Sequence, residues 1–190
     1  VRIDGDMVAF KDCRFLGFQD TLYPHGENSH QYYKNCYIEG TVDFIFGWST
    51  AVFENCTIFC KEQGYITAPS TEENTEFGFV FLKCKITGSA PEASFFLGRP
   101  WRPYGKSVFV ECDLGNLIKP EGWNNWRDPE KEKTAYFAEY NNTGAGAKKS
   151  ERVKWSHQLT KKDIEKYTLE NILGEWVNNP DLFYKNPADN

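Results

Sequence analysis

The sequence predicts an all-β fold, a right-handed parallel β-helix (a solenoid of stacked coils) with a short helical C-terminal tail. The first observation is a motif, aromatic-x-x-Cys-x-hydrophobic, that occurs five times with its cysteines 23, 20, 28 and 28 residues apart. The second is that apolar and polar residues alternate within the motif, as they do along a strand with one buried face. One short strand with its turns, repeated at this period, favours a β-helix over a helical solenoid. The five cysteines are Cys13, Cys36, Cys56, Cys84 and Cys112.

Five of the six cysteines share one position of the repeat, which predicts a ladder of small buried thiols and not a set of disulfides. Cys60 lies outside that position, and we expect it to be a reactive or paired thiol. A glycine follows four residues after the cysteine in three copies, as Gly17, Gly40 and Gly88. These glycines are expected to supply turns.

The repeat weakens after Leu114, where loops surround one more strand at 134–140, and the pattern becomes helical from Ser156. Thr160 with Asp163 predicts a capping box, and a second helix at 168–173 is expected to end at Gly174. We therefore divide the chain into a β-helix over 1–155 and a tail over 156–190. The tail is expected to pack on the side or end of the solenoid.

Composition narrows the possible functions. The 190 residues carry a net charge of −5 without a stripe of Lys or Arg, which argues against nucleic acid as a partner. No apolar run reaches the length of a membrane-spanning helix. The three His lie in no Gly-x-Ser-x-Gly context, no residues have metal-ligand spacing, and no glycine-rich phosphate loop occurs. The chemistry must therefore come from carboxylates, amides and arginine.

Two carboxylates stand out because they share a position in the repeat. Asp20 lies seven residues after Cys13, and Asp43 lies seven residues after Cys36. Stacked coils repeat at about 4.8 Å, so one carboxylate is expected to stay ionised while its neighbour is driven toward protonation. A single Asp at a turn more often caps backbone groups, but two in register favour a functional role. Gln63 and Pro91 have the same offset in the next coils, which predicts a short column of carboxylates.

A third element is Arg99, held between Gly98 and Pro100 and followed by Trp101. An arginine fork can bind an aspartate through two hydrogen bonds and keep it ionised and oriented. Trp101 either offers a flat face to a sugar or belongs to the core, and sequence alone does not separate these two roles.

These segments carry a resemblance to a known family. Residues 17–23 (GFQDTLY), 40–47 (GTVDFIFG) and 97–101 (LGRPW) look like the three signature blocks of the pectin methylesterases, or pectinesterases. Residues 115–126 and 137–147 resemble two further segments of that family, and the match extends over roughly 1–155. The resemblance implies a parallel β-helix that hydrolyses pectin methyl esters without a metal or cofactor.

By that resemblance, Asp43 is the nucleophile, Asp20 the general acid and base, and Arg99 the group that orients Asp43. Gln19 is expected to bind the tetrahedral oxyanion. Substrate-binding positions are carried over to Tyr23, Val42, Phe46, Trp101 and Tyr104. The resemblance also implies a secreted protein, which we expect to be a monomer that acts on methylated homogalacturonan.

The sequence departs from the family in two places. A second oxyanion glutamine of the family falls upstream of Val1, and the first coils of the family's β-helix fall there with it. We therefore expect the catalytic region over 1–155 to be N-terminally truncated and this chain alone to be weakly active or inactive. The loop at 24–30 is slightly longer than usual. Two other functions stay open, a β-helical glycosidase, since paired carboxylates also suit that reaction, and a non-catalytic pectin-binding module.

Overall fold

The computed structural model describes residues 1–183, and these form a parallel β-helix, as predicted. Every pair of neighbouring strands is parallel, and each inner strand of the larger sheets hydrogen-bonds to the strands one coil before and one coil after it. The strands are β1 (Arg2–Ile3), β2 (Val8–Lys11), β3 (Arg14–Phe15), β4 (Tyr23–Pro24), β5 (His30–Lys34), β6 (Tyr37–Gly40), β7 (Ile45–Gly47), β8 (Thr50–Glu54), β9 (Thr57–Cys60), β10 (Gly64–Pro69), β11 (Phe79–Leu82), β12 (Lys85–Gly88), β13 (Phe95–Gly98), β14 (Lys106–Val110), β15 (Asp113–Leu114), β16 (Tyr136–Tyr140) and β17 (His157–Gln158).

The strands build three faces around a common core. Face A contains β4, β7, β10 and β13, with β4 joined to β7 through a bridge between Leu22 and Ile45. Face B is a seven-stranded sheet in the order β2-β5-β8-β11-β14-β16-β17, and face C is a five-stranded sheet in the order β3-β6-β9-β12-β15. The chain passes from A to B to C in each coil, so equivalent residues of successive coils form columns along the helix axis.

A sharp corner joins face B to face C in every coil. The residue before each ladder cysteine has a positive φ of 52–55°, as at Asn35 and Asn55, and its N–H donates to a carbonyl of the next coil. Asn and Asp tolerate this left-handed backbone better than most residues. The cysteine then points inward, where its thiol donates to the carbonyl of the aromatic residue one coil back, as from Cys84 to Phe53 at 3.2 Å.

The predicted cysteine ladder is confirmed, because all six cysteines are free thiols and four of the five ladder members are buried. Stacked aromatic rings run beside them in the core, with successive centroids 4.3–5.4 Å apart. The stack consists of Phe10, Tyr33, Phe53, Phe81 and Phe109. The aromatic and cysteine positions of the repeat therefore form the two inner columns of the solenoid.

Cys60 differs from the expectation of a reactive or paired thiol. It is fully buried, and burial raises its thiol pKa well above the ordinary value. In the register of face C it lies between Gly40 and Gly88, so it takes the glycine position of the third coil. Those glycines also differ from the expected turns. A Cβ on Gly88 would lie 1.9 Å from the Cys60 carbonyl oxygen, so the close approach of the coils demands glycine there.

The tail covers face B, in line with the expectation that it packs on the side of the solenoid. It contains α1 (Lys161–Ile164) and α2 (Leu169–Leu173), and the predicted capping box of Thr160 and Asp163 is present. Ile172 and Leu173 pack in a cluster with the outward apolar residues of face B. Face B itself extends through β17 into the segment expected to be tail, and residues 184–190 of that segment lie outside the described residues. Short 3₁₀ helices occur at Pro129–Lys133, Lys149–Glu151 and Glu175–Asn178.

The helices within residues 1–183 are too short and too polar to cross a lipid bilayer.

Candidate active site

One column of equivalent residues on face A contains both predicted aspartates. The register of the strands aligns Asp20 with Asp43 in the first two coils and then continues through the following three. The complete column is Asp20, Asp43, Tyr65, Phe96 and Lys119.

The continuation of this column corrects the expectation that Gln63 and Pro91 would occupy it. The third and fourth coils contain two and five more residues between the cysteine and face A than the first two coils do. Tyr65 and Phe96 therefore take the places that a fixed offset assigns to Gln63 and Pro91.

Asp43 is buried, and the predicted pairing with Arg99 is present. Its carboxylate accepts two hydrogen bonds, from Arg99 Nε at 2.8 Å and from Nη2 at 2.7 Å. Burial raises the pKa of Asp43 above its ordinary value, while the hydrogen bonds and charge of Arg99 act in the opposite direction. The fork therefore stabilises the ionised form of a carboxylate whose surroundings otherwise favour the neutral form.

Two aromatic rings hold the guanidinium of Arg99. Its Cζ lies 3.8 Å from the ring centroid of Tyr65 and 3.7 Å from that of Trp126. Two rings this close cannot share one side of the planar group, so they enclose it from opposite faces. The stacking leaves only the edge of Arg99 free to bind Asp43.

Sequence reasoning missed both Tyr65 and Trp126 as parts of the site. Tyr65 was missed because its coil has two additional residues, so it does not have the cysteine offset that Asp20 and Asp43 share. Trp126 lies in an irregular loop and has a left-handed backbone (φ 59°), which sequence pattern does not indicate for tryptophan.

Asp20 differs from Asp43 in its surroundings. It lies on the exposed rim of the first coil, and its carboxyl makes no hydrogen bond to any of residues 1–183. Partial burial and the charge of Asp43 raise the pKa of Asp20, and Arg99 offsets part of that rise. Asp20 therefore holds a proton to higher pH than an ordinary aspartate does.

The loop that carries Gln19 and Asp20 is anchored from the neighbouring coils. Lys61 Nζ donates to the Gly17 carbonyl at 3.2 Å and lies 3.6 Å from the ring centroid of Phe18. The Asp20 N–H donates to the Val42 carbonyl at 3.2 Å. Gln19, like Asp20, is exposed and faces the cleft.

These groups meet in an open cleft of about 250 Å³ on face A. Phe46 and Trp101 form its aromatic wall, with ring centroids 5.9 Å apart, and Tyr23 stacks behind Phe46 at 4.2 Å. The cleft is lined by Gln19, Asp20, Asp43, Phe46, Ala68, Arg99, Trp101 and Trp126. The structure therefore gathers all four predicted catalytic residues and two of the predicted substrate-binding residues in one place.

Two predicted substrate-binding residues lie elsewhere. Val42 lines an adjoining cavity on face A together with Tyr65. The chain turns back between Arg102 and Gly105, which carries Tyr104 to a separate cavity. There the Tyr104 hydroxyl hydrogen-bonds to Glu73, which raises the pKa of Tyr104.

Within residues 1–183, no group of three or more His, Cys, Asp or Glu side chains is arranged to hold a metal ion.

Comparison with known proteins agrees with this geometry. The sequence model of the family described as Pectinesterase matches residues 1–175. The chain belongs to the pectinesterase family. Among relatives of this pectinesterase chain, Pectinesterase 31 of Arabidopsis thaliana is 50% identical over 160 residues, which are 84% of this chain and 50% of that protein. Putative pectinesterase 11 of the same plant is 39% identical over 191 residues, 98% of this chain and 53% of that protein. The chain thus spans about half the length of these relatives.

Solved structures show the same fold. A pectin methylesterase from carrot superposes with a TM-score of 0.85 at 32% identity, over 94% of this chain and 60% of that one. Pectin methylesterase PemA from Erwinia chrysanthemi gives a TM-score of 0.76 at 33% identity, over 88% of this chain and 57% of that one. A pectin methylesterase in complex with a hexasaccharide gives 0.76 at 32% identity, over 90% and 58%.

Proposed function

We propose that this chain carries the active site of a pectin methylesterase, which hydrolyses the methyl esters of galacturonate units in homogalacturonan to demethylated pectin and methanol. One observation carries the proposal, a bidentate Arg99–Asp43 pair beside an exposed carboxyl, Asp20, in the same column. The family and the printed names of its solved members support the substrate class.

The first half of the reaction forms an acyl-enzyme. The ionised Asp43 attacks the ester carbonyl carbon, and negative charge develops on the carbonyl oxygen. The Gln19 amide N–H donates to that oxyanion, since this side chain is exposed toward the cleft. The tetrahedral intermediate collapses, the bond to the methoxy oxygen breaks, and Asp20 gives its proton to the departing methanol. Asp43 is then joined to the sugar carbonyl as an anhydride.

The second half regenerates the enzyme. Asp20, now ionised, takes a proton from water, which attacks the acyl carbon. The bond to Asp43 breaks and releases the galacturonic acid carboxyl group, which then loses its proton to solvent. Asp20 ends protonated and Asp43 ionised, as both began. The raised pKa of Asp20 suits this role, because the acid must hold a proton beside an ionised neighbour.

The cleft walls suit an esterified sugar. Phe46 and Trp101 offer flat apolar faces beside the Asp43 carboxylate, where a sugar ring and its methyl group lose contact with water. Tyr23 supports Phe46 from behind. Val42 and Tyr104 remain proposed substrate contacts farther along the polymer. We further propose that the protein is secreted, binds pectin as a monomer and requires no cofactor.

The test uses the complete gene product that contains this chain and measures both methanol and new reducing ends from highly esterified pectin. Asp43→Asn is expected to lower methanol release by about 10³-fold or more, because the nucleophile is lost. Asparagine is the suitable replacement, since position 43 has a φ of 52°. Asp12→Asn is the matched control, with the same change of charge at a similar φ of 55° but on the B–C corner.

The rival functions give different results. Reducing ends without methanol would identify a glycosidase. Pectin binding without any turnover in the wild-type protein would identify a binding module. Full methanol release by Asp43→Asn would reject the proposed nucleophile.

A further inference from the structure

One lysine outside the cleft reaches the loop that carries two of the proposed active-site groups. Lys61 directly follows β9 in the third coil, and its backbone N–H donates to the Gly40 carbonyl of the second coil at 3.0 Å. Its ammonium extends to the first coil, where it donates to the Gly17 carbonyl at 3.2 Å and lies 3.6 Å from the ring centroid of Phe18. The residue therefore joins three successive coils beside this loop.

Glu39 holds the ammonium of Lys61 in place. The two side chains form an ion pair at 3.0 Å, and they are only 23% and 18% exposed. The hydrogen bond from Lys61 is the main cause that lowers the pKa of Glu39, and the Tyr37 hydroxyl donates a second hydrogen bond to the same carboxylate at 3.0 Å. Lys61 thus has a fixed partner and a fixed direction, unlike a lysine that extends freely into water.

The loop over residues 16–22 needs support from other coils because it contains no strand. β3 ends before it and β4 begins after it. The Asp20 carboxyl makes no hydrogen bond to any of residues 1–183, so its position depends on the backbone that carries it. Backbone groups of the second coil bind the middle and end of the loop, since the Thr41 N–H donates to the Phe18 carbonyl at 2.9 Å and the Asp20 N–H donates to the Val42 carbonyl at 3.2 Å. Lys61 binds the beginning of the loop.

Lys61 is expected to act through position and not through its charge. Burial and the charge of Asp43 raise the pKa of Asp20, and Arg99 lowers it. The charge of Lys61 is balanced by the carboxylate of Glu39. Removal of the ammonium is therefore expected to displace the Asp20 carboxyl without changing the pH range over which it titrates.

We propose that Lys61 is a positioning residue, which holds Asp20 and Gln19 where protonation of the leaving group and binding of the oxyanion require them. This inference rests on the proposed function. Both of these steps depend steeply on distance, and a displacement of about 1 Å can cost about 10²-fold in rate. An ion pair on the neighbouring face of the solenoid thus contributes to the reaction through the backbone of the loop.

The experiment compares kcat/KM of the complete gene product on two esters of an oligogalacturonate, the methyl ester and the 2,2,2-trifluoroethyl ester. Trifluoroethanol is more acidic than methanol, so its departure depends less on a proton from Asp20. Lys61→Met removes the ammonium and keeps an apolar chain of similar length. Its kcat/KM is expected to fall by about 10- to 100-fold on the methyl ester, and by at least about 3-fold less on the trifluoroethyl ester.

The ratio of the two kcat/KM values does not depend on how much of the variant is folded, so it separates positioning from a loss of stability. Lys61→Arg keeps a charged donor and should retain the wild-type ratio. Lys85→Met is the matched control, because Lys85 is an exposed lysine on β12 of the same face, and it should also retain that ratio. An equal loss on both esters in Lys61→Met, or no loss on either, would overturn the inference.

Hydrogen exchange separates this inference from the proposed function. Exchange of the backbone amides of residues 18–22 is measured in the wild type, Lys61→Met and Lys85→Met. Faster exchange in Lys61→Met alone supports the anchoring of the loop, whether or not the protein releases methanol. The same exchange in all three proteins contradicts the anchoring and leaves the esterase intact. A wild type that releases no methanol while the exchange responds to Lys61→Met rejects the esterase and leaves the anchoring of the loop in place.

Discussion

Two arginine–carboxylate pairs with nearly the same bond geometry serve different purposes in this molecule. Arg99 binds Asp43 on face A through Nε and Nη2 at 2.8 and 2.7 Å. Arg152 binds Glu139 of β16 through the same two nitrogens at 2.7 and 3.1 Å. The side chains of the second pair are only 2% and 5% exposed, against 18% and 9% for the first.

The two pairs differ in how many N–H donors of the arginine are already used in hydrogen bonds. Arg152 uses all five of its N–H donors, because it also donates to the carbonyls of Lys119, Pro120 and Gly146. Arg99 uses two donors, and the faces of its guanidinium are covered by rings. The saturated pair holds the loops that contain Lys119–Pro120 and Gly146, whereas the unsaturated pair lies at an open cleft. Bond geometry alone therefore does not identify a catalytic arginine.

Replacement of Arg152, the buried cation, is expected to have the largest effect on stability. Arg152→Met is expected to lower the free energy of unfolding by about 3–5 kcal/mol, because Glu139 and three carbonyls lose their partner in the interior. Chemical denaturation measures this change. The double variant Glu139→Leu/Arg152→Met should lose less stability than Arg152→Met alone, since it leaves no unpaired charge. A single variant as stable as the wild type would refute the structural role given to the pair.

A smaller effect is expected from Arg99→Lys. Lysine keeps the charge but cannot bind both Asp43 oxygens or stack between Tyr65 and Trp126. We expect kcat to fall by about 10²-fold, or about 2.7 kcal/mol, with a change in unfolding free energy below about 1 kcal/mol. Steady-state kinetics and denaturation of the same sample measure both values. Stability loss comparable to that of Arg152→Met would mean that the two pairs do not differ as described.

The smallest effect concerns Asp20 and depends on pH. The pKa of Asp20 is raised in the folded protein, so the fold favours its protonated form. Its contribution to stability is complete below the ordinary value of 3.8 and is lost as pH rises through the folded pKa. Asp20→Asn should match the wild type at low pH and exceed it at pH 7 by about 0.5 kcal/mol or less, since the group is exposed.

Melting curves across this pH range measure the difference. A variant less stable than the wild type at pH 7 would contradict the assigned direction of the pKa. Asparagine also fits the left-handed backbone at this position (φ 55°), so backbone strain does not add to the measured difference in stability.

The fold was predictable because the cysteine position of the repeat recurs once in each of the first five coils. The cysteine spacing indicated the solenoid, and the shared offset of Asp20 and Asp43 indicated their alignment, because the first two coils keep the same path from cysteine to face A. The pairing of Arg99 with Asp43 followed from the rigid setting of Arg99 and from the family resemblance.

Prediction failed where the coils differ in length. Sequence analysis did not assign Tyr65 and Phe96 to the column because their coils contain additional residues. The role of Cys60 was wrongly predicted because it was not aligned with the glycines at the same position of the adjacent coils. Tyr104 lines a different cavity from Trp101, because the chain reverses three residues after Trp101. Arg152 gave no signal, since the three carbonyls that it binds belong to loops with no regular pattern.

The left-handed corner before each ladder cysteine has a consequence for how such proteins diversify. The five corners from Asp12 to Glu111, and the equivalent Asn141 of the next coil, keep φ near 50°, although successive corners are 20 to 30 residues apart. The additional residues of the longer coils lie in the loops that border face A, whereas the corner between faces B and C keeps the same length. Loop length can deepen or reshape the groove over generations while the spacing of the carboxylate column stays unchanged. The shape of the groove and the spacing of the two carboxylates can therefore change independently of each other.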